Sequence, residues 1–197
     1  MKIPTSLPRL LAESGLIVLS ILLALAVTEW NEGRNRAARA DLALENIDGE
    51  LTANMRALER VLPYHRESLR RLDVLLADSS RRSPQAENVF AVVAQVAPEG
   101  LKPPTLSSTA WDLARTTNSV GHLDFETLYP LSQVYDVQRT GVESTIPRLT
   151  GIVLSRESFD STADPMPTLH MLQIMFNELT AQEAYLVEIY REMLQRR

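Results

Sequence analysis

From Ser14 to Thr28 the chain reads SGLIVLSILLALAVT, fifteen residues without a charge, and no proline occurs between Pro8 and Pro63. Nothing else in the sequence is as apolar. The pair of features predicts one nearly continuous helix over residues 10–62, embedded in a membrane along its first half. Gly33 and Gly49 fall inside it and are tolerable, at about 1 kcal/mol each relative to Ala. At about 1.5 Å per residue the fifteen residues cover roughly 22 Å, while a bilayer core of about 30 Å takes about 20 residues. Leu10, Leu11 and Ala12 complete the length, with Glu13 and Arg9 near the headgroups on the same side as Lys2. The span itself is Ser14, Gly15, Leu16, Ile17, Val18, Leu19, Ser20, Ile21, Leu22, Leu23, Ala24, Leu25, Ala26, Val27 and Thr28, and Trp30 after it suits a membrane interface.

The same residues admit two other readings. Lys2 and Arg9 make a basic n-region, residues 15–23 an apolar h-region, and Ala24-Leu25-Ala26 an A-x-A-like cleavage site, as in a signal peptide. A buried core helix is the third reading. Glu13 beside the apolar run, and helical character that passes through Trp30 without small turn-forming residues, favour the anchor. Lys2 and Arg9 before the span nearly balance Arg34, Arg36 and Arg39 after it, so charge bias orients the span weakly.

An anchor over residues 1–30 leaves residues 31–197 for one extra-membrane domain, enough chain for a real core. Glycine is scarce at 7, and the chain is rich in the strong helix formers Leu, Ala, Glu and Arg. The expected fold class is all-α: the N-terminal transmembrane helix continuing into a long-helix antiparallel bundle. With 0 cysteines there are no disulfides and no thiolate metal sites. The net charge of −5, with both signs mixed throughout, argues against a nucleic-acid partner, which needs a clustered basic face.

From Ala37 onward a mostly apolar stripe recurs in steps of three and four: Ala40, Leu44, Ile47, Leu51, Asn54, Leu58, Val61, His65, Ser68, Leu72 and Leu75. That stripe predicts packing against another helix, with Leu44, Ile47, Leu51, Asn54 and Leu58 as its packing or partner seam. Pro63 predicts a kink or a break, and Asp78-Ser79-Ser80 a helix end. Arg81-Arg82-Ser83-Pro84 reads as a loop. Gln85 to Ala97 reads as a short helix, with strand as the alternative because of its valines. A helix capped by Ser107, Ser108 or Thr109 carries Trp111. One long helix is expected from about Asp124 to Ser155, with Gly141 and Pro147 as weak points. The last runs from about Pro167 to Gln195, its apolar spacing broken only by Glu183.

Ile21 to Leu25, Trp30, the acid-and-Arg-rich Glu32 to Arg36, and then Ala43, Leu44, Ile47, Glu50, Leu51 and Asn54 form a recognisable combination. It resembles a family of uncharacterised bacterial proteins with one N-terminal span and a helical extra-membrane domain. The likeness covers about the first 55 residues, with a weaker echo around Trp111. It implies a retained anchor in the inner membrane, an N-terminus in the cytoplasm and a domain in the periplasm. It carries no activity.

No motif for catalysis stands out. His65, His122 and His170 have no His or carboxylate partner at metal-ligand spacing on their own helices. Ser107-Ser108-Thr109 has no nearby base and reads as a cap. Trp111 reads as a core anchor, and Tyr129, Tyr135, Tyr185 and Tyr190 as core or rim. Glu45, Asp48 and Glu50 follow solvent-face spacing. A polar Asn54 or His65 in the seam suits a role in fixing register. No metal, organic cofactor or catalytic residue is expected. The function expected is a non-enzymatic, membrane-anchored helical interaction or accessory-subunit protein, working through the lipid bilayer and a protein partner or a second copy. A ligand-sensing domain acting through a partner is the alternative, and an enzyme of unfamiliar type the third.

Overall fold

The computed structural model describes residues 7–77 and 88–196, with side chains from Glu13 onward. The molecule is all-α, and no strand occurs among the described residues. Helix α1 spans Leu7–Ala77, α2 Val89–Val96, α3 Thr109–Thr116, α4 Phe125–Thr140, α5 Val142–Val153, α6 Arg156–Phe159 and α7 Met166–Gln195, with a 3-10 turn at Val120–His122. The expected helix end at 78–80, the loop at 81–84 and the first residues of the 85–97 helix lie outside the described residues.

The 71 residues of α1 give a rod about 105 Å long. Its first part stands clear of the domain: Leu16 to Val27 are exposed, and Trp30 is 66% exposed with the Arg34 guanidinium 5.3 Å above its ring. This is the one described helix long and apolar enough to cross a membrane. Burial begins at Ala40 and continues through Ala43, Ile47, Leu51, Asn54, Leu58, Leu62, His65, Ser68 and Leu72. Of the expected seam, Ile47, Leu51, Asn54 and Leu58 are therefore used inside this chain, with Leu44 half-buried beside them.

Of the kink or break expected at Pro63, the break does not occur, and α1 runs through it. The ring faces solvent. It removes one hydrogen bond, to the Glu59 carbonyl, and an interior proline costs about 3 kcal/mol or more. Leu58 and Leu62, one turn before it, are both buried, at about 1.5–3 kcal/mol each. That packing offsets the local penalty.

α1 and α7 form the main packing surface. They are antiparallel: Glu59 meets Arg191, His65 meets Glu183 and Asp73 meets Gln173. Leu169, Leu172, Phe176, Leu179, Leu186 and Tyr190 of α7 are all nearly inaccessible. α4 and α5 cover its other side. The single helix expected over 124–155 is two, because Gly141 (φ −90°, ψ −104°) leaves helical geometry. A Cβ there would lie 2.7 Å from the Val137 carbonyl oxygen, so only glycine fits. Pro147, the other weak point, sits inside α5. In α2 the buried residues Val89, Val92, Val93 and Val96 follow helical spacing, which decides for helix over strand.

Candidate functional site

The polar residues of the α1 seam do not face a groove. They hold the segment between α2 and α3 against the bundle. The Asn54 side-chain oxygen accepts from the Ser107 amide at 2.9 Å, and its amide donates to the Ser107 carbonyl at 2.7 Å. Asn54 thus pairs with both backbone groups of Ser107, as a residue of a neighbouring strand would. Eleven residues further along α1, His65 Nε2 lies 2.7 Å from the Leu101 carbonyl. Eleven helical residues rise about 16 Å. The six residue steps from Leu101 to Ser107 cover that distance only if nearly extended, at most about 20 Å. Pro103-Pro104 in their middle favours such a path.

The strap has a clamped end. Tyr64 Oη donates to the Gly100 carbonyl at 2.8 Å and accepts from the Glu99 amide at 3.1 Å. Gly100 and Lys102 both have positive φ, +75° and +44°. For lysine that conformation is strained. Its ammonium is fixed 2.6 Å from Glu99 and 4.9 Å above the Tyr64 ring centroid.

His65 and Glu183 are both wholly inaccessible, with His65 Nδ1 2.9 Å from each carboxylate oxygen. A carbonyl only accepts, so the Leu101 contact places a proton on Nε2. The Nδ1–carboxylate contact then holds one more shared proton. Imidazolium with carboxylate, or imidazole with carboxylic acid, leaves the pair neutral overall and fully bonded. The break that Glu183 makes in the apolar spacing of α7 is the mark of this pair. His65 looked isolated because its partner is 118 residues away.

A second cluster surrounds Ser107. Gln138 Nε2 donates to the Ser107 carbonyl at 3.3 Å and to Glu143 at 2.7 Å. Its Oε1 accepts from Asn54 and from the Tyr190 hydroxyl. Burial pushes the Tyr190 phenol well above its ordinary range. Glu50, read from the sequence as a solvent-face acid, is half-buried and caps α3 from another helix. It accepts from Ser107 Oγ at 2.6 Å, the Ala110 amide at 2.9 Å, the Trp111 amide at 3.4 Å and the Tyr135 hydroxyl at 2.8 Å. Ser108, the residue preceding α3, makes no capping bond with its side chain. A carboxylate at a helix N-terminus satisfies exposed amides and meets the positive end of the dipole. Trp111 is buried as expected and stacks on Tyr135 at 5.2 Å and 7°.

The arrangement fastens elements together. The Ser107 hydroxyl donates to a carboxylate that also accepts from two amides and a phenol. No group of three or more His, Asp or Glu that could hold a metal gathers among the described residues. His122 and His170 stay outside both clusters, exposed to solvent. Of the remaining tyrosines, Tyr129 and Tyr185 are exposed. An open groove of about 640 Å³ lies between α1 and α3. Ala43, Ala110 and Ala114 line it together with Leu42 and Leu113. No protein-family model, curated protein or solved structure matches the chain.

Proposed function

We propose that this chain is a membrane-anchored, non-enzymatic helical interaction or accessory module. It belongs with the bacterial single-span proteins it resembles, sits in the inner membrane with its N-terminus in the cytoplasm, and presents the bundle to the periplasm. One observation carries the reading. The exposed apolar segment and the core of the domain are the same helix, so whatever the first part is fixed in, the domain is held rigidly above it. The polar clusters fit the reading, since their hydrogen-bonding capacity is spent on holding the strap, α3 and α7 in place. A module of this kind acts by presenting surface at a set height from the bilayer.

Carbonate extraction of membranes, N-terminal sequencing and detergent purification test it together. The expected result is protein in the pellet, an intact N-terminus and a stoichiometric protein partner through purification. A mature chain starting near Val27 would establish a cleaved signal peptide instead.

A further inference from the structure

Eighteen residues complete five helical turns, so positions eighteen apart share one azimuth on a straight α-helix. On α1, Ser20 lies above Ala38 in this sense, Ala24 above Leu42 and Thr28 above Asn46. Asn31 and Gly49, and Asn35 and Ala53, complete the set. All ten are exposed, none is charged, and they form a single face about 50 Å long. Charges crowd the other faces of the same stretch, among them Glu29, Glu32, Arg34, Arg36 and Arg39. Arg56 and Arg60 close the uncharged face at its far end.

Inside the apolar segment this face is Ser20-xxx-Ala24-xxx-Thr28, the small-residue spacing that lets two membrane helices approach closely. Both hydroxyls are already bonded to their own helix, Ser20 to the Leu16 carbonyl at 2.8 Å and Thr28 to the Ala24 carbonyl at 2.9 Å. Above the segment the same face opens into the groove between α1 and α3. Ala43, Ala110 and Ala114 line it, Leu42 and Leu113 beside them are 58% and 61% exposed, and Arg39 and Glu50 border it on α1. Leu42 and Asn46 of the uncharged face thus also line the groove.

We propose that this face is a parallel dimer interface, and that its occupant is α1 of a second copy of this chain. The proposal rests on the anchored reading above, because a single span inserts every copy the same way and so sets the two helices parallel and level. The flanks match under that two-fold. Glu32 and Arg39 lie on one side of the face, Arg34 and Asp41 on the other. Parallel pairing brings Glu32 opposite the second copy's Arg34, and Arg39 opposite its Asp41, each two residues apart in height. A strip 50 Å long and about 10 Å wide gives roughly 1,000 Å² over two copies before α3 contributes. That reaches the size at which interfaces become specific. Each α3 then flanks both central helices, as the groove requires.

The natural chain has 0 cysteines, so single cysteines report proximity directly. Ala38→Cys, Leu42→Cys and Gly49→Cys, with Ala37→Cys and Arg66→Cys on other exposed faces as controls, are oxidised in native membranes and run without reductant. A disulfide forms only where Cα atoms come within about 7 Å. The expected result is a shift to twice the chain mass at 38, 42 and 49, with the controls remaining monomeric. No shift at the three positions, equal shifts at seam and control positions, or a shift to the mass of a different protein overturns the proposal. Carbonate extraction of the same membranes separates the two readings. A pelleted chain without the shift ends the pairing and leaves the anchor, and a soluble chain ends the anchor.

Discussion

Replacing Glu183 with Leu leaves His65 Nδ1 facing apolar atoms in a site with no solvent access. Breaking a buried pair by removing one partner costs about 3–5 kcal/mol, because the other is left uncompensated. His65→Leu carries a similar cost by stranding the Glu183 carboxylate, and it also frees the Leu101 carbonyl, adding about 1–3 kcal/mol. Replacing both by leucine removes the stranded carboxylate and leaves only the Leu101 carbonyl unpaired, so the double variant is expected to be more stable than His65→Leu alone. Domain stabilities lie at about 5–15 kcal/mol, so each single change consumes a large share. At roughly 2–4 °C per kcal/mol for a domain of this size, the melting temperature falls by about 6–20 °C. Denaturant titration of the four proteins in one detergent, read as a double-mutant cycle, gives the coupling directly. Single variants that each lose less than about 1 kcal/mol, or costs that simply add, would refute the picture of a buried, mutually dependent pair.

The other expectations are simpler. Asn54→Ala removes both bonds to the Ser107 peptide and is expected to cost about 1–3 kcal/mol and to raise amide exchange across 101–107. Unchanged exchange there would mean the strap is held by other contacts. Leu51→Asp and Phe176→Asp, at 0% and 1% exposure, place an unpaired charge in the core and should abolish cooperative melting. Ser68 Oγ is buried without a hydrogen-bond partner among the described residues, so Ser68→Ala should be neutral or stabilising, within about 0.5 kcal/mol. Bonds from Arg70 and Arg71 hold the Glu67 carboxyl down at about 2. Since the folded value lies below the unfolded one, its contribution is present above pH 4.5 and fades as pH falls toward 2. A carboxyl NMR titration with an ordinary midpoint near 4.5 would contradict that.

The helices were legible in the sequence wherever one local signal dominated. The Leu-Phe-Tyr spacing of α7 placed it within a residue of its observed start at Met166 and end at Gln195. The long Pro-free stretch gave α1. Gly141 was visible as a weak point, but a break there depends on a Cβ meeting the Val137 carbonyl, a fact of the folded turn. Pro63 pointed to a kink or a break, and the break is overridden by packing of Leu58 and Leu62. Side-chain pairing across distant segments was the least legible layer. Glu50 and His65 each appear on α1 with no partner in reach, yet they bind residues 36 to 118 positions away. The signals were there as anomalies: a histidine in an apolar seam, and a glutamate interrupting the apolar face of α7. Two such misfits in a pair of helices that must pack together are grounds for testing whether they meet.

The claim on which the rest depends is that the apolar segment and the core of the domain are one straight helix. Spin labels on cysteines at Leu19 and Ala37, both exposed and eighteen residues apart, measure it in liposomes, with labelled chain diluted into unlabelled. A continuous helix predicts a single narrow distance of about 27 Å. A broad or markedly shorter distribution, or a recovered chain lacking the first label because the segment has been cleaved away, would contradict it.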